Sequence, residues 1–340
     1  MRIALLRRAI AATVAHATES ETIDLVDLGL HLPLMQFGDE GLSLGRLEEA
    51  VDAAREGGFT AVSANDHFVF STPWLDGPTA LASVIERSGD MTLATTVSLA
   101  VLRGPVPLAK TLSALDVLCE GRLIAALGPG SSKRDYDTLG IPFDERWKRF
   151  DEAITTLRAL LEGKPPPEGA SYYRVPSDVE LAPAPRQGRI PLWIGSWGSK
   201  AGLRRVARAG DGWLASAYNT TPDGFAEARD RLARELEDRG RVAEGFPNAL
   251  ATMWTWVAKD RAEGDRVLGD VLAPLLNRDP DELRGQLCIG PAEHCAALLS
   301  AYAAAGCQRV YLWPLGEERR QIELVASEVA PRIERPLQRG

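Results

Sequence analysis

Short β-rich apolar runs alternate with longer runs of helical period along almost the whole chain, and no other feature narrows the fold as far. Strands separated by helical crossovers lie parallel, because each crossover returns the chain to the same end of the sheet. Eight such strands are predicted: Leu25 to Leu30, Thr60 to Ala64, Thr92 to Ser98, Arg122 to Leu127, Leu192 to Gly195, Gly212 to Ala215, Ala249 to Val257 and Arg309 to Trp313. Eight favour a closed barrel over an open doubly wound sheet. The expected fold class is therefore α/β, a (β/α)₈ TIM barrel with insertion loops, for which 340 residues is a comfortable length.

The helical runs carry their own punctuation. Between Leu44 and Glu56, the residues Leu44, Leu47, Val51 and Ala54 share one face, with Ser43 as an N-cap and Gly57-Gly58 as a stop. Further helices are expected over Val106 to Leu118, Glu145 to Leu161, Lys200 to Ala209, Pro222 to Arg239 and Glu317 to Ile333, with a helical insertion over 260–304. Residues 162–190 break the rhythm, since their prolines cannot lie inside helices. An excursion loop is expected there, with a small hairpin around Tyr172 to Val175. Residues 25–335 read as a single domain and 1–24 as an N-terminal extension. Arg7-Arg8 followed by Ala9 to Ala15 imitates a signal peptide, but the apolar segment is short and weakly hydrophobic.

Composition removes several classes of function. The net charge is -8 with the signs mixed, so no basic stripe is available for nucleic acid. No stretch of eighteen apolar residues is present, and no membrane span is expected. Cys119, Cys288, Cys295 and Cys307 form no C-x-x-C pair and read as buried free thiols of a reducing compartment, which points to the cytoplasm.

In such a barrel the chemistry gathers at the C-terminal ends of the strands. After the second strand stands Asn65-Asp66-His67-Phe68, where His67 either carries a proton near neutral pH or caps a loop. The hydroxyls of Thr95-Thr96-Val97-Ser98 either bond a cofactor ring edge or serve the backbone. Gly128-Pro129-Gly130 permits close backbone approach to a ligand or makes a tight turn, and Arg134, Asp135 and Tyr136 follow it within reach of the site. Lys133 stands where the third glycine of a G-x-G-x-x-G motif would be, so a Rossmann fingerprint is absent. Gly195-Ser196-Trp197-Gly198-Ser199 opens a helix and suits a phosphate, or simply caps the helix. The histidines are scattered without metal-ligand spacing, so no metal is expected. Trp74, Trp147, Trp193, Trp197 and Trp254 are candidates to line an apolar pocket, against core packing as the alternative.

In this order, several stretches resemble the luciferase-like flavin-dependent oxidoreductases, the superfamily of bacterial luciferase. They are Leu28 to Pro33, Glu56 to Phe68, Leu108 to Leu112, Gly121 to Ile124, Gly128 to Gly130, Gly140 to Phe143 with Arg146-Trp147, Pro191 to Ser196 and Ala209 to Trp213. The resemblance implies a reduced FMN or the deazaflavin coenzyme F420. It assigns the phosphate to Gly195, Ser196, Trp197, Gly198 and Ser199, and the reacting face to the pair Asp66 and His67. It also matches Thr96-Val97 to a position that often carries a non-prolyl cis peptide against the ring. Asp66-His67-Phe68 and the turn through Gly128 and Gly130 resemble the deazaflavin branch, which favours F420-dependent hydride transfer with a small-molecule substrate. An FMN-dependent monooxygenase using molecular oxygen is the alternative, and a non-catalytic family member a third reading. Ser131 stands where the sugar-phosphate dehydrogenases of that branch carry a glutamate. A homodimer is expected from the resemblance.

Overall fold

The computed structural model describes residues 26–37 and 41–334, so the extension over 1–24 lies outside the described residues, as does Leu25. Nine strands form one sheet: β1 (Asp27–His31), β2 (Ala61–Ala64), β3 (Thr92–Leu99), β4 (Leu123–Gly128), β5 (Leu192–Gly195), β6 (Gly212–Ser216), β7 (Asn248–Val257), β8 (Cys288–Gly290) and β9 (Arg309–Pro314). Consecutive strands from β1 to β7 pair in parallel, β7 pairs with β9, and β9 closes onto β1. The result is a closed eight-stranded parallel barrel with flanking helices, the (β/α)₈ architecture that the alternating pattern predicts. The eight predicted strands are its eight staves. The unpredicted β8 pairs only with the far end of β7, outside the barrel circuit.

Helix boundaries follow capping chemistry. Ser43 accepts from the Arg46 N–H and starts Leu44–Glu56, and Ser199 accepts from the Gly202 N–H and starts Lys200–Ala209. The insertion between β7 and β9 is not a single helical piece: four short helical segments lead into β8, and Ala292–Ala304 follows it. The hairpin expected around Tyr172 to Val175 does not form. That stretch has no strand, and the Glu152 carboxylate takes the N–H groups of Ser171, Tyr172 and Tyr173 in place of a ladder.

Inside the barrel, Ala61, Ala94, Ala126, Trp193, Leu214, Ala249, Ala251 and Tyr311 form a cluster of their own. Two large rings among small side chains fill the interior, and glycines across from them supply the room. A Cβ at Gly29 would lie 2.6 Å from the Tyr311 ring, and one at Gly212 would lie 2.4 Å from the Trp193 ring. Strand alternation then puts the residues two places further along each strand into the layer above. His31 follows Gly29 and Trp313 follows Tyr311, and their rings stack with centroids 3.7 Å apart.

His31 is fully buried and stays neutral. Burial drives its pKa from 6.5 down to about 3, only partly opposed by the Leu32 carbonyl, 2.8 Å from Nδ1, and by the Asn65 amide.

Two consequences can be measured. Gly29→Ala is expected to cost about 1–3 kcal/mol of stability through overpacking, with the cost relieved when Tyr311→Leu is added. For His31 the unfolded chain binds the extra proton below pH 6.5. The stabilising contribution is therefore whole above that value and is lost as pH falls toward about 3. Urea unfolding of the wild type should show up to about 1.4 kcal/mol per pH unit of acid sensitivity that His31→Phe lacks. Parallel pH dependence in the two proteins would contradict the assignment.

Candidate functional site at the barrel mouth

Four strand ends carry most of the predicted site residues to one rim. His67 and Asp66 follow β2, Thr96 and Val97 lie in β3, Gly128 ends β4 with Gly130 just beyond, and Gly195 ends β5. The Thr96–Val97 peptide is cis, and the register of β3 against β4 shifts between Thr96 and Ser98. Val97 thereby enters the space that two glycines leave open. A Cβ at Gly128 would lie 2.6 Å from Val97 Cγ2, and one at Gly195 would lie 3.0 Å from Val97 Cγ1. The side chain that both glycines admit is Val97. Gly130 has φ +89° and ends the turn in a conformation suited to glycine. Buried Tyr136 donates its hydroxyl to the Pro129 carbonyl and ties the turn to the helix Lys133–Thr138.

The top layer of the interior is lined by polar atoms without partners. Ser63 stands above Ala61 and Thr96 above Ala94, while Trp254 stacks on Trp313 at 3.7 Å. Ser63 Oγ, Thr96 Oγ1, Trp254 Nε1 and Trp313 Nε1 are all buried, and none has a hydrogen-bond partner among the described residues. A buried polar atom left unpaired costs about 1–3 kcal/mol, so a cluster of four suits a ligand with donors and acceptors along its edge. This set of donors and acceptors would suit the edge of a flavin or deazaflavin ring.

The loop after β5 is arranged as a helix entrance. Ser196 Oγ accepts from the Gly198 N–H at 3.3 Å and Ser199 Oγ from the Gly202 N–H at 3.2 Å. Both hydroxyls thus serve the backbone. The remaining first-turn N–H groups of Lys200–Ala209 are the ones an anion can take. Trp197 is exposed and joins none of the ring clusters of the site.

Asp66 and His67 are adjacent in sequence and differ in employment. Asp66 is buried, and both its oxygens are taken. Arg103 Nε donates to Oδ2 at 2.6 Å and its terminal nitrogen to Oδ1 at 2.7 Å, while the Leu99 N–H donates to Oδ2 at 3.3 Å. Arg103 also bonds Asp76, the N-cap of the helix Gly77–Ser83. Asp66 thereby locks the loop after β2 onto the segment after β3.

His67 stands at the rim, about one-fifth exposed, with Nδ1 3.1 Å from Asp135 Oδ2. Asp135 Oδ1 accepts from the Val69 N–H at 2.8 Å. Burial pushes the Asp135 carboxyl up, but the bonds from His67 and Val69 outweigh it and hold the group below the usual carboxylate range. The His67 ring packs 4.6 Å from Trp74 and 5.0 Å from Phe70, and Trp74 meets Trp313 edge-on at 5.6 Å. Trp74 is held by the pairing of Met35 with it and by the Leu75 N–H bond to the Leu34 carbonyl.

Arg103, His31 and Trp313 were not predicted as part of this region, and Asp135 only as a residue within reach. The order Ser132-x-x-Asp135 is a capping signal that announces the helix carrying Asp135, and Ser132 does cap it. Nothing in the spacing of Arg103 announces Asp66. All four cysteines are free and buried. Among the described residues no group of three or more His, Cys, Asp or Glu is placed to hold a metal ion, and no helix is long and apolar enough to cross a membrane.

Comparison with known proteins agrees with this fold. The described family of luciferase-like monooxygenases matches residues 27–275. An F420-dependent glucose-6-phosphate dehydrogenase of Beutenbergia cavernae is 27% identical over 316 residues, covering 82% of this chain and 90% of the relative. An uncharacterized protein of Mycobacterium tuberculosis is 33% identical over 142 residues, 42% of this chain, and that match spans 47% of the relative's length. Among solved structures, an F420-dependent secondary alcohol dehydrogenase in complex with an F420-acetone adduct superposes with a TM-score of 0.78. The superposition covers 91% of this chain and 99% of that one at 16% identity, a likeness of fold. The chain belongs to the luciferase-like monooxygenase family.

Proposed function

We propose that this chain is an oxidoreductase that binds coenzyme F420, in preference to FMN, at the barrel mouth and catalyses hydride transfer to or from a small organic substrate. The observation that carries the reading is the meeting of a histidine at the rim with a buried lining of polar atoms that have no partner among the described residues. The Beutenbergia cavernae relative, named for F420, supports the choice of cofactor. A bound deazaflavin supplies the two-electron carrier, and the protein contributes binding, orientation and electrostatics.

The chain's own residues divide those tasks. Ser63, Thr96, Trp254 and Trp313 would offer hydrogen bonds to the ring edge, with Val97 beside them at the mouth. The helix entrance that follows Ser196, Trp197, Gly198 and Ser199 would take the phosphate through the N–H groups left open in the first turn of Lys200–Ala209. Trp74 and Phe70 keep water from the face beside His67. His67 takes up or releases the proton that accompanies hydride transfer at a carbonyl or alcohol carbon.

Titration of the purified protein with F420 and with FMN, each oxidised and reduced and followed by fluorescence, should show F420 bound more tightly. His67→Ala should keep F420 affinity within about threefold. Its oxidation of reduced F420 by a panel of ketones and enones should fall by about 10²–10⁴, the usual worth of a general acid or base. A preference for reduced FMN would replace this reading with an oxygen-using one. Binding of neither cofactor would replace it with a non-catalytic role.

A further inference from the structure

We infer that Asp135 is the positioning residue that fixes His67 in its Nδ1–H tautomer and so makes Nε2 the working nitrogen. The inference rests on the reading of His67 as the proton-carrying group.

The argument begins with what a carboxylate can do. An ionised carboxylate only accepts hydrogen bonds. Asp135 is buried, and its Oδ1 already holds the Val69 N–H. The nitrogen that meets Oδ2 at 3.1 Å therefore has to bring a hydrogen. Neutral imidazole has one N–H, so placing it on Nδ1 leaves a bare lone pair on Nε2. Nε2 has no partner among the described residues. It can take a proton from a substrate hydroxyl, after which the ring is an imidazolium paired with Asp135. In the reverse direction the same nitrogen donates. The other charged groups of this region do not compete. Asp66 and Asp76 are each paired with Arg103, and the rings packed against His67 are Phe70 and Trp74.

Geometry makes the arrangement rigid on both sides. Asp135 sits in the first turn of its helix, with its own N–H held by Ser132 Oγ at 3.2 Å, and the next residue, Tyr136, is anchored to the glycine turn. His67 and Val69 are gripped by the two oxygens of one carboxylate, so the ring and the start of the 69–77 loop move together.

The test is nitrogen NMR of the full-length protein labelled at histidine nitrogens, with His67 identified from the spectrum of His67→Gln. The chain contains its own references. His31 bonds the Leu32 carbonyl through Nδ1, and His294 approaches the Leu287 carbonyl through Nε2, so each neutral tautomer has a standard. Above its titration, wild-type His67 should show the Nδ1–H pattern.

In Asp135→Asn the amide oxygen can keep the Val69 bond while the amide nitrogen donates to Nδ1, which drives His67 to the Nε2–H tautomer. That variant should retain F420 affinity within about threefold and lose turnover to the level of His67→Ala. A wild-type Nε2–H pattern, an unchanged tautomer in Asp135→Asn, or a changed tautomer with wild-type turnover would each overturn the inference. The NMR result does not depend on activity. If His67→Ala were fully active, the proposed proton role would fall while the tautomer assignment was still decided by the spectrum.

Discussion

A closed barrel of eight parallel strands encloses a space that its own side chains have to fill, and the site above depends on how that filling is done. Trp193 and Tyr311 provide the bulk, while Gly29, Gly212 and five alanines provide the room. Interiors tolerate neither voids nor overlap, so two large rings in this layer demand residues without side chains opposite them. The outcome is a solid apolar floor. Polar atoms in the next layer up stand on that apolar floor and are buried, which is why their lack of partners among the described residues matters energetically.

That upper layer has two unlike halves. On the side of β1, β7 and β9, the rings of His31, Trp313 and Trp254 form a continuous stack. On the side of β2 to β5 stand Ser63, Thr96 and the Val97 side chain between Gly128 and Gly195. A flat ligand entering the mouth meets a hard aromatic wall on one side and small, hydrogen-bonding groups on the other. The neutral state of His31 belongs to this design: a charge there would face an aromatic stack and a dry interior, and burial has removed it.

Elements with a strong period were legible in the sequence, and elements held by distant contacts were not. The eight staves show as apolar runs because a buried parallel strand has to be apolar on both faces. β8 spans only Cys288–Gly290, too short to show a pattern. The helices Gly77–Ser83 and Lys133–Thr138 are also short, and only their caps announce them. The glycines at 128 and 195 were visible as close-approach positions, but a sequence does not say what approaches. Here Val97 of β3 fills the space at both. The contact of Arg103 with Asp66 bridges 37 positions and that of His67 with Asp135 bridges 68. Both join loops that follow different strands, and only closure of the barrel brings such loops to one rim.

Adjacent residues 66 and 67 show why the same motif can hold two separate devices. Asp66 goes to Arg103, a partner that does not lose its charge at any working pH, so this pair is a permanent lock on the loop. Burying such a pair gains little net stability, because desolvation consumes most of the attraction; what it secures is orientation. His67 goes to Asp135, which takes its Nδ1 and leaves its Nε2 facing the mouth without a partner among the described residues. Were the partners exchanged, His67 would face a cation in place of a carboxylate, and its Nδ1 would have no acceptor. Keeping the two pairs separate, one residue apart, fixes the loop through Asp66 and the ring through His67.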